Sequence, residues 1–336
     1  MKRVTYIKRS DRLKNYSIKE IAKLANVSSA TVSRVINNSS YVEEEKRQRV
    51  IKVIQETNYI PNKVARSLFK HSSQIIGYIV PSITNPFFNE LGRYIEQIAY
   101  QSNYHIILCN SNNNYEAELE YIRNLQAMNV DGLILTTTNT NLKYKTTMPV
   151  ISIDRGFDYE NNLVSIRSDH YTSGYLAAEH LYETGCKNMV FLGPFNTIST
   201  AKLRLQGYQA FCIENQLEAR SLECGYEFED GLKAMEILLK KYKNCDGIVC
   251  ANDIVAIACY KILYNNNLKV PYDIKLIGYD NILSSEQVTP SLTTIEQPIE
   301  EIAKNAMKYM IDIIEKKEIV QKNIVLPVKL IKRETT

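Results

Sequence analysis

The amino-acid sequence predicts a small all-helical N-terminal domain followed by a large α/β body with parallel sheets. Short helical patterns come first, and from Gln74 onward short apolar runs alternate with longer stretches of helical periodicity. A chain of 336 residues is also long for a single hydrophobic core. Strand–helix alternation over such a length predicts doubly wound, Rossmann-like sheets in two lobes.

The strand candidates of the body lie at residues 75–80, 105–110, 132–136, 150–153, 189–192, 247–251 and 274–279. Helical patterns lie between them, at residues 86–100, 115–128, 171–184, 201–215 and 254–264. The pattern at residues 323–331 predicts one final strand. No leucine heptad helix of the kind that assembles tetramers follows it, so we expect a homodimer.

Net charge divides the sequence near the same point. Residues 1–72 contain 16 Lys and Arg against 6 Asp and Glu, a net charge of +10, which leaves −6 of the overall +4 for the rest. A basic segment before a mildly acidic body is typical of nucleic-acid binding, because phosphate contacts release counterions. A solvated basic tail gives the same charge, so the residue pattern has to decide.

Composition and motifs exclude several classes of protein. No apolar run approaches the roughly 20 residues that cross a bilayer, and the first residues lack the apolar core of a signal peptide. The seven cysteines form no C-x-x-C pair, and the four histidines lack metal-ligand spacing. No G-x-G-x-x-G, P-loop or G-x-S-x-G motif is present. We therefore expect a cytoplasmic protein that is not an enzyme and needs no metal or other cofactor.

The N-terminal pattern predicts a helix-turn-helix. A first helix begins with a capping box, in which Ser17 precedes Glu20 by three residues, and Asn26 interrupts its apolar periodicity. A second helix starts near Ser28, and an amphipathic stretch at about residues 43–57 closes the core. Two short helices joined by a tight turn are typical of a domain that reads the major groove of DNA.

Ser29 and Ala30 lie at the start of the second helix, where a recognition helix meets base edges. Arg34 can reach a guanine edge or a phosphate, whereas helix capping is an alternative role for Ser29. The DNA contacts expected from this domain are Ser17, Ser28, Ser29, Ala30, Thr31, Ser33, Arg34, Asn37 and Tyr59.

A short basic helix is predicted after Pro61, which stops the preceding helix. Its leucine, Leu68, suits insertion between base steps of the minor groove, which kinks the duplex. A plain linker helix whose leucine packs on the body is the alternative. The contacts expected from this segment are Asn62, Val64, Ala65, Arg66 and Leu68.

Polar and aromatic side chains follow several strands of the body, where ligands of such sheets bind. These side chains are Asn85, Phe87, Phe88, Asp154, Arg155, Asn252, Asp253, Asp280 and Asn281, with Ser199 and Arg204 after the turn beyond residue 192. Carboxylates, an amide, an arginine and a ring together suit a polyol. Helix capping and core packing are the alternative roles for each of them.

The sequence resembles the lactose-repressor (LacI) family of bacterial transcription regulators from about residue 17 to residue 333. The N-terminal motifs are I-A-x-x-A-N-V-S-S-A-T-V-S-R-V-I-N-N and N-Y-I-P-N-x-V-A-R-S-L. The motifs of the body are I-G-Y-I-V-P-x-I-T-N-P-F-F, V-D-G-L-I-L, I-D-R, A-N-D-I-V-A-I-A, I-G-Y-D-N and S-L-T-T-I-E-Q-P.

The resemblance implies a helix-turn-helix domain at residues 17–61 and a hinge helix and linker at residues 62–73. Residues 74–336 form the effector-binding and dimerisation domain, with a periplasmic-binding-protein-like fold. Its N-lobe comprises residues 74–167 and 293–324, and its C-lobe residues 168–292 and 325–336. A basic extension, residues 1–16, departs from the family. The implied effector residues are Asn85, Phe87, Phe88, Asp154, Arg204, Tyr226, Asn252 and Asp280.

The implied function is that of a transcriptional repressor, a homodimer on palindromic double-stranded DNA whose operator affinity depends on a small molecule. A sugar is the favoured effector, and a purine is an alternative. Two other functions stay open: a catabolite-control-type regulator with a phosphorylated carrier protein as coregulator, and a sugar receptor without a role on DNA. The sequence does not distinguish induction from corepression.

Overall fold

The computed structural model describes residues 16–60, 72–137, 148–155, 164–195 and 199–336. The chain divides into two compact units, Met1–Ser73 and Gln74–Thr336. Residues 1–15 and the predicted hinge contacts lie outside the described residues; these contacts are Asn62, Val64, Ala65, Arg66 and Leu68. Within the described ranges, no helix is long and apolar enough to cross a membrane.

The N-terminal unit contains the helices α1 (Ile18–Leu24), α2 (Ser29–Asn37) and α3 (Glu44–Thr57). The predicted capping box starts α1, since the Ser17 hydroxyl accepts from the Glu20 N–H and the Glu20 carboxylate accepts from the Ser17 N–H. Ser28 caps α2, and Asn38 ends it in the left-handed conformation. A small apolar core holds the three helices together: Ile21, Ala22, Ala25, Val32, Val35, Val42 and Val50.

The first sheet of the body contains β1 (Ile75–Val80), β2 (His105–Asn110), β3 (Gly132–Leu135), β4 (Val150–Ile153), β5 (Val164–Ser168) and β11 (Asn323–Leu326). Its order is β11-β5-β4-β3-β1-β2, and every pair is parallel. Its helices are α4 (Pro86–Gln101), α5 (Tyr115–Ala127) and α11 (Ile299–Ile314). Buried apolar strands covered by helices are typical of parallel sheets.

The second sheet contains β6 (Met189–Gly193), β7 (Arg220–Glu223), β8 (Gly247–Cys250), β9 (Lys275–Asp280), β10 (Thr293–Glu296) and β12 (Lys329–Ile331). Its order is β12-β10-β9-β8-β6-β7, and only β12 is antiparallel to its neighbour. Its helices are α6 (His170–Glu183), α7 (Ser199–Glu214), α8 (Phe228–Lys241), α9 (Asp253–Asn265) and α10 (Leu283–Gln287). The predicted doubly wound fold in two lobes is confirmed.

The chain crosses between the sheets after β5, after β10 and after β11. The family resemblance implies these crossovers near Arg167, Thr293 and Ile324. Thr293, however, begins β10, which pairs in parallel with β9 of the second sheet. The second crossover therefore follows Glu296, and the third follows Leu326.

The prediction of one final strand at residues 323–331 is wrong. Pro327 lies between β11 and β12, and these two strands pair in different sheets. Proline has no N–H to donate to a strand partner, so it separates them. The strands β5, β7 and β10 also escaped prediction, because they are only four or five residues long and mix polar with apolar residues.

Helices α6 and α7 pack closely through two glycines. A Cβ atom on Gly174 would lie 1.8 Å from the carbonyl oxygen of Arg204, and one on Gly207 would lie 1.9 Å from that of Tyr171. Side chains do not approach backbone atoms so closely, and only glycine permits this separation. The contact fixes α7, and with it Arg204, against α6.

Replacement of Gly207 by alanine should force α6 and α7 apart. Gly207→Ala should lower the free energy of unfolding by about 1–3 kcal/mol, as overpacking does, and urea unfolding measures the loss. Gln206→Ala, at an exposed position of the same helix, is the matched control and should change stability by less than about 0.5 kcal/mol. Equal stability of the two variants would contradict the close contact.

Candidate effector cleft and recognition helix

Helix α2 buries one face and presents a polar one. Val32 and Val35 are buried in the core of the N-terminal unit, whereas Ala30 and Arg34 are exposed. The predicted contact residues of this helix and its cap are all exposed or half-buried: Ser28, Ser29, Ala30, Thr31, Ser33, Arg34 and Asn37. The polar face is therefore accessible in the way that a recognition helix requires.

Some of the predicted DNA contacts have structural roles. Capping occupies the hydroxyls of Ser17 and Ser28, the latter accepting from the Thr31 N–H at 3.1 Å. The Asn37 amide donates back to its own helix, and Tyr59 is half-buried against the apolar core. A role of Ser29 and Ala30 at base edges stays a prediction.

The effector residues predicted from the sequence lie beyond strands of both lobes. Asn85 follows β1 as the N-cap of α4, and Asp154 directly follows β4. In the second lobe, Asn252 follows β8 as the N-cap of α9, and Asp280 is the last residue of β9. The carboxyl ends of parallel strands share one edge of a sheet, which gives these side chains a common location.

Aromatic contacts join the two lobes. The rings of Phe87 and Phe88 meet edge to face, with centroids 5.1 Å apart. The guanidinium carbon of Arg155 lies 5.9 Å from the Phe88 ring centroid and 5.5 Å from that of Tyr226 in the other lobe. The Asn252 amide donates to the carbonyl oxygen of Tyr226 at 2.9 Å. Arg155 therefore lies between an aromatic ring of each lobe.

Arg204 organises the part of the cleft that belongs to the second lobe. Its guanidinium carbon lies 3.5 Å from the ring centroid of Tyr279, and its Nη1 donates to the carbonyl oxygen of Ala251 at 2.5 Å. Its Nε lies 3.4 Å from Nδ1 of His170, an atom that is also 2.9 Å from the Tyr279 hydroxyl. On the other side of the imidazole, Nε2 lies 3.7 Å from Oδ1 of Asp154 in the first lobe.

These neighbours assign the protonation of His170. A guanidinium can only donate hydrogen bonds, so Nδ1 of His170 accepts and Nε2 carries the proton. Burial, with the nearby charge of Arg204, also holds the pKa of His170 well below its ordinary value. The neutral imidazole thus directs an N–H toward Asp154, whose own pKa is raised by burial.

Several buried polar atoms of this cluster have no hydrogen-bond partner in the part of the chain that the structure describes. They are Asp154 Oδ1, Arg155 Nε and Nη1, His170 Nε2 and the Tyr226 hydroxyl oxygen. Nearly all buried polar groups in proteins are hydrogen-bonded, because an unpaired one loses hydration without compensation. Five such atoms in one cluster, drawn from both lobes, make this region the candidate effector site.

Asp280 and Gln297 lie at a second face of the cleft. The Gln297 amide donates to the Asp280 carboxylate at 2.8 Å. Burial raises the pKa of Asp280 to about 7, although Arg204 and Gln297 oppose the increase. A cavity of about 360 Å³ adjoins both side chains, and Tyr94 and Pro298 also line it.

Comparison with known proteins assigns the family. Residues 17–62 match the model of bacterial regulatory proteins of the lacI family, and residues 73–334 that of periplasmic binding proteins and the sugar-binding domain of the LacI family. The ribose operon repressor of Halalkalibacterium halodurans is 35% identical over 95% of this chain and 97% of its own. The chain belongs to the LacI family. It is therefore a DNA-binding transcription regulator under effector control, and not an enzyme.

Two solved structures of LacI-type proteins are similar to this LacI-family chain. The lac repressor dimer bound to operator and the anti-inducer ONPF has a TM-score of 0.86 and 28% identity, and covers 96% of this chain and 99% of its own. A periplasmic binding protein/LacI transcriptional regulator from Alkaliphilus metalliredigens, in complex with D-xylulofuranose, has a TM-score of 0.71 and 32% identity. It covers 78% of this chain and 99% of its own.

The polar side chains predicted to follow strands of this LacI-family regulator include Arg155, but Gln297, Tyr279 and His170 were omitted. Gln297 lies in the S-L-T-T-I-E-Q-P motif and Tyr279 in the I-G-Y-D-N motif, so both had a sequence signal. His170 had none, because a histidine at a helix start is an ordinary structural residue. Only the fold brings His170 next to Arg204.

The raised pKa of Asp280 predicts a pH-dependent stability. The folded chain binds a proton with a pKa of about 7, whereas an unfolded aspartate has a pKa of about 3.9. Stability from the protonated form is thus present below the unfolded pKa and is lost as the pH rises through the folded one. Between about pH 5 and pH 8, the wild type should lose about 2–3 kcal/mol relative to Asp280→Asn. Urea unfolding of both proteins at each pH measures this difference, and a constant difference would contradict the assignment.

Proposed function

We propose that this chain is a homodimeric repressor whose operator affinity is set by a neutral pentose held between the lobes of the body. The observation that carries the proposal is the cluster of unpartnered buried atoms on Asp154, Arg155, His170 and Tyr226. The first two residues come from one lobe and the other two from the second. A ligand that pairs these atoms contacts both lobes at once.

The chemistry of the cluster favours a sugar. Asp154 accepts hydrogen bonds, Arg155 and His170 donate them, and a tyrosine hydroxyl does both. A polyol has the same alternation, since each hydroxyl group both donates and accepts. Phe88 and Tyr226 add flat apolar surfaces for the C–H face of a sugar ring. A purine would form hydrogen bonds with only some of these acceptor and donor atoms of Asp154 and Arg155.

The charges of the cleft favour a neutral sugar over a sugar phosphate. The buried cations Arg155 and Arg204 face the buried aspartates Asp154 and Asp280. Burial raises the pKa of both aspartates, and His170 is neutral. A phosphate monoester would bring an additional charge of about −1.5 to −2. Both arginines already face an aspartate, and an ionised Asp154 or Asp280 would repel this charge.

Relatives favour a pentose among the neutral sugars. The similar protein of Halalkalibacterium halodurans is named a ribose operon repressor. The similar structure from Alkaliphilus metalliredigens is a complex with D-xylulofuranose. A pentose is also small enough for a cleft whose lobes already touch through Arg155 and Tyr226.

On DNA, the exposed face of α2 would read the major groove, with Ser29 and Ala30 at base edges and Arg34 on a base or phosphate. The lac repressor dimer on its operator supports a dimer on palindromic DNA. Minor-groove insertion of Leu68 stays a prediction. A regulator with this role works in the cytoplasm, where its DNA is.

The link between sugar and operator is a shift between lobe arrangements. A ligand changes this equilibrium only if it binds one arrangement better. Contacts from Asp154 and Arg155 to the opposite lobe are the ones that a bound sugar would rearrange. The sugar acts either as an inducer, which weakens operator binding, or as a corepressor, which strengthens it, and the cleft is compatible with both.

Thermal unfolding of the full-length protein against D-ribose, D-xylulose, hexoses, disaccharides, sugar phosphates and purines tests the proposal. A pentose at about 100 times its dissociation constant should add roughly 2.7 kcal/mol of stability. Arg155→Lys should lose this gain, because lysine cannot provide the flat pair of donors. Arg93→Lys, at an exposed arginine of α4 paired with Glu90, is the matched control and should keep it.

Stabilisation by a disaccharide or a purine instead would overturn the pentose assignment. If no small molecule stabilises the protein and operator binding requires a phosphorylated carrier protein, the function of a catabolite-control-type regulator would be favoured. If the sugar stabilises Arg155→Lys as much as the wild type, the proposed binding of the sugar in this cleft would be contradicted.

A further inference from the structure

The turn that carries Asp280 has an unusual backbone. Asp280 has a φ of 110° and Asn281 a φ of 56°, and neither residue is glycine. Asparagine commonly adopts the left-handed conformation of Asn281, whereas a φ of 110° is strained for a residue with a Cβ atom and persists only where the surrounding structure holds it. The strain lies at the residue whose carboxylate faces Arg204 and Gln297 in the cleft. The contacts of the next residue, Asn281, show which groups outside the cleft also hold this turn.

Asn281 is held on three sides. Its backbone N–H donates to the Thr294 hydroxyl at 3.4 Å, and its side-chain amide donates to the Glu296 carboxylate at 3.3 Å. The shortest of its contacts comes from the other end of the domain, since Nη2 of Arg333 donates to Oδ1 of Asn281 at 2.7 Å.

Arg333 also binds the middle and the end of the segment 281–292, which joins β9 to β10. Its Nη1 donates to the Ser285 hydroxyl at 3.1 Å and to the carbonyl oxygen of Leu292 at 2.9 Å. One guanidinium therefore joins the first residue of this segment to its last. The rigid fork of arginine suits such a task, whereas the single ammonium of lysine does not.

The C-terminal segment that carries Arg333 is itself fixed. β12 pairs with β10 directly before it. After it, the buried Thr335 hydroxyl donates to the carbonyl oxygen of Leu276 and accepts from the Thr293 N–H, both at 2.8 Å. Arg333 is thus anchored to the second sheet on both sides and has a fixed position from which to hold the turn.

We propose that Arg333 is a positioning residue of the effector cleft, which holds Asn281 so that the Asp280 carboxylate faces the ligand. This proposal rests on the proposed function, since it assigns a supporting residue to that same site. Arg333 itself does not touch the ligand. A purely structural role would instead lower stability without a specific effect on Asp280.

A double-mutant cycle on D-ribose binding by the full-length protein separates these roles. Arg333→Lys should weaken ribose binding by about tenfold in the wild-type background but by less than about twofold in the Asp280→Asn background, because the position of residue 280 is what the arginine controls. Lys332→Gln, at the exposed neighbouring residue, is the control and should leave the affinity unchanged. An equal loss in both backgrounds would overturn the proposal.

Hydrogen exchange of the ligand-free protein distinguishes failure of this proposal from failure of the pentose assignment. Arg333→Lys should accelerate amide exchange in residues 280–292 and leave the first lobe as in the wild type. If the wild type binds no pentose but this local acceleration is seen, the pentose assignment fails while the hold of Arg333 on the turn after β9 stands. Exchange in residues 280–292 that matches Lys332→Gln would overturn the proposal whatever the sugar result.

Discussion

The burial of two arginines and two aspartates between the lobes is the constraint on which the rest of the body depends. Removal of each charge from water costs several kcal/mol unless hydrogen bonds and opposite charges replace the lost hydration. The fold supplies part of this replacement through Ala251, His170 and Gln297. Arg155 and Asp154 keep unpartnered atoms, so the cleft is only partly compensated by the chain itself. A site in this condition gains most from a ligand that supplies the missing partners.

The elements around the cleft are arranged to keep these groups in place. The two glycines of α6 and α7 bring Arg204 close to His170, and the turn after β9 presents Asp280. Both lobes contribute to the cluster because the chain crosses between the sheets three times. Under the proposed function, ligand binding would therefore act on the separation of the lobes, which is the movable part of such a fold.

Much of the fold and part of the site could be predicted from the sequence. Apolar runs such as residues 75–80 and 247–251 marked buried strands, and the residues after them marked the cleft. Strands such as β10, with the sequence T-T-I-E, could not be found, because two threonines in a short segment give no apolar run. His170 and Arg333 were beyond prediction for another reason. Their roles come from residues far away in the sequence, which only the folded sheet brings near.

We propose above that occupation of the buried cleft changes the affinity of the protein for DNA. A palindromic operator selected from random-sequence DNA, titrated with the full-length protein with and without saturating D-ribose, tests this claim most directly. Ribose should change the operator affinity by about tenfold or more, and Arg155→Lys should abolish the change. An operator affinity that stays the same while ribose demonstrably occupies the cleft would contradict it.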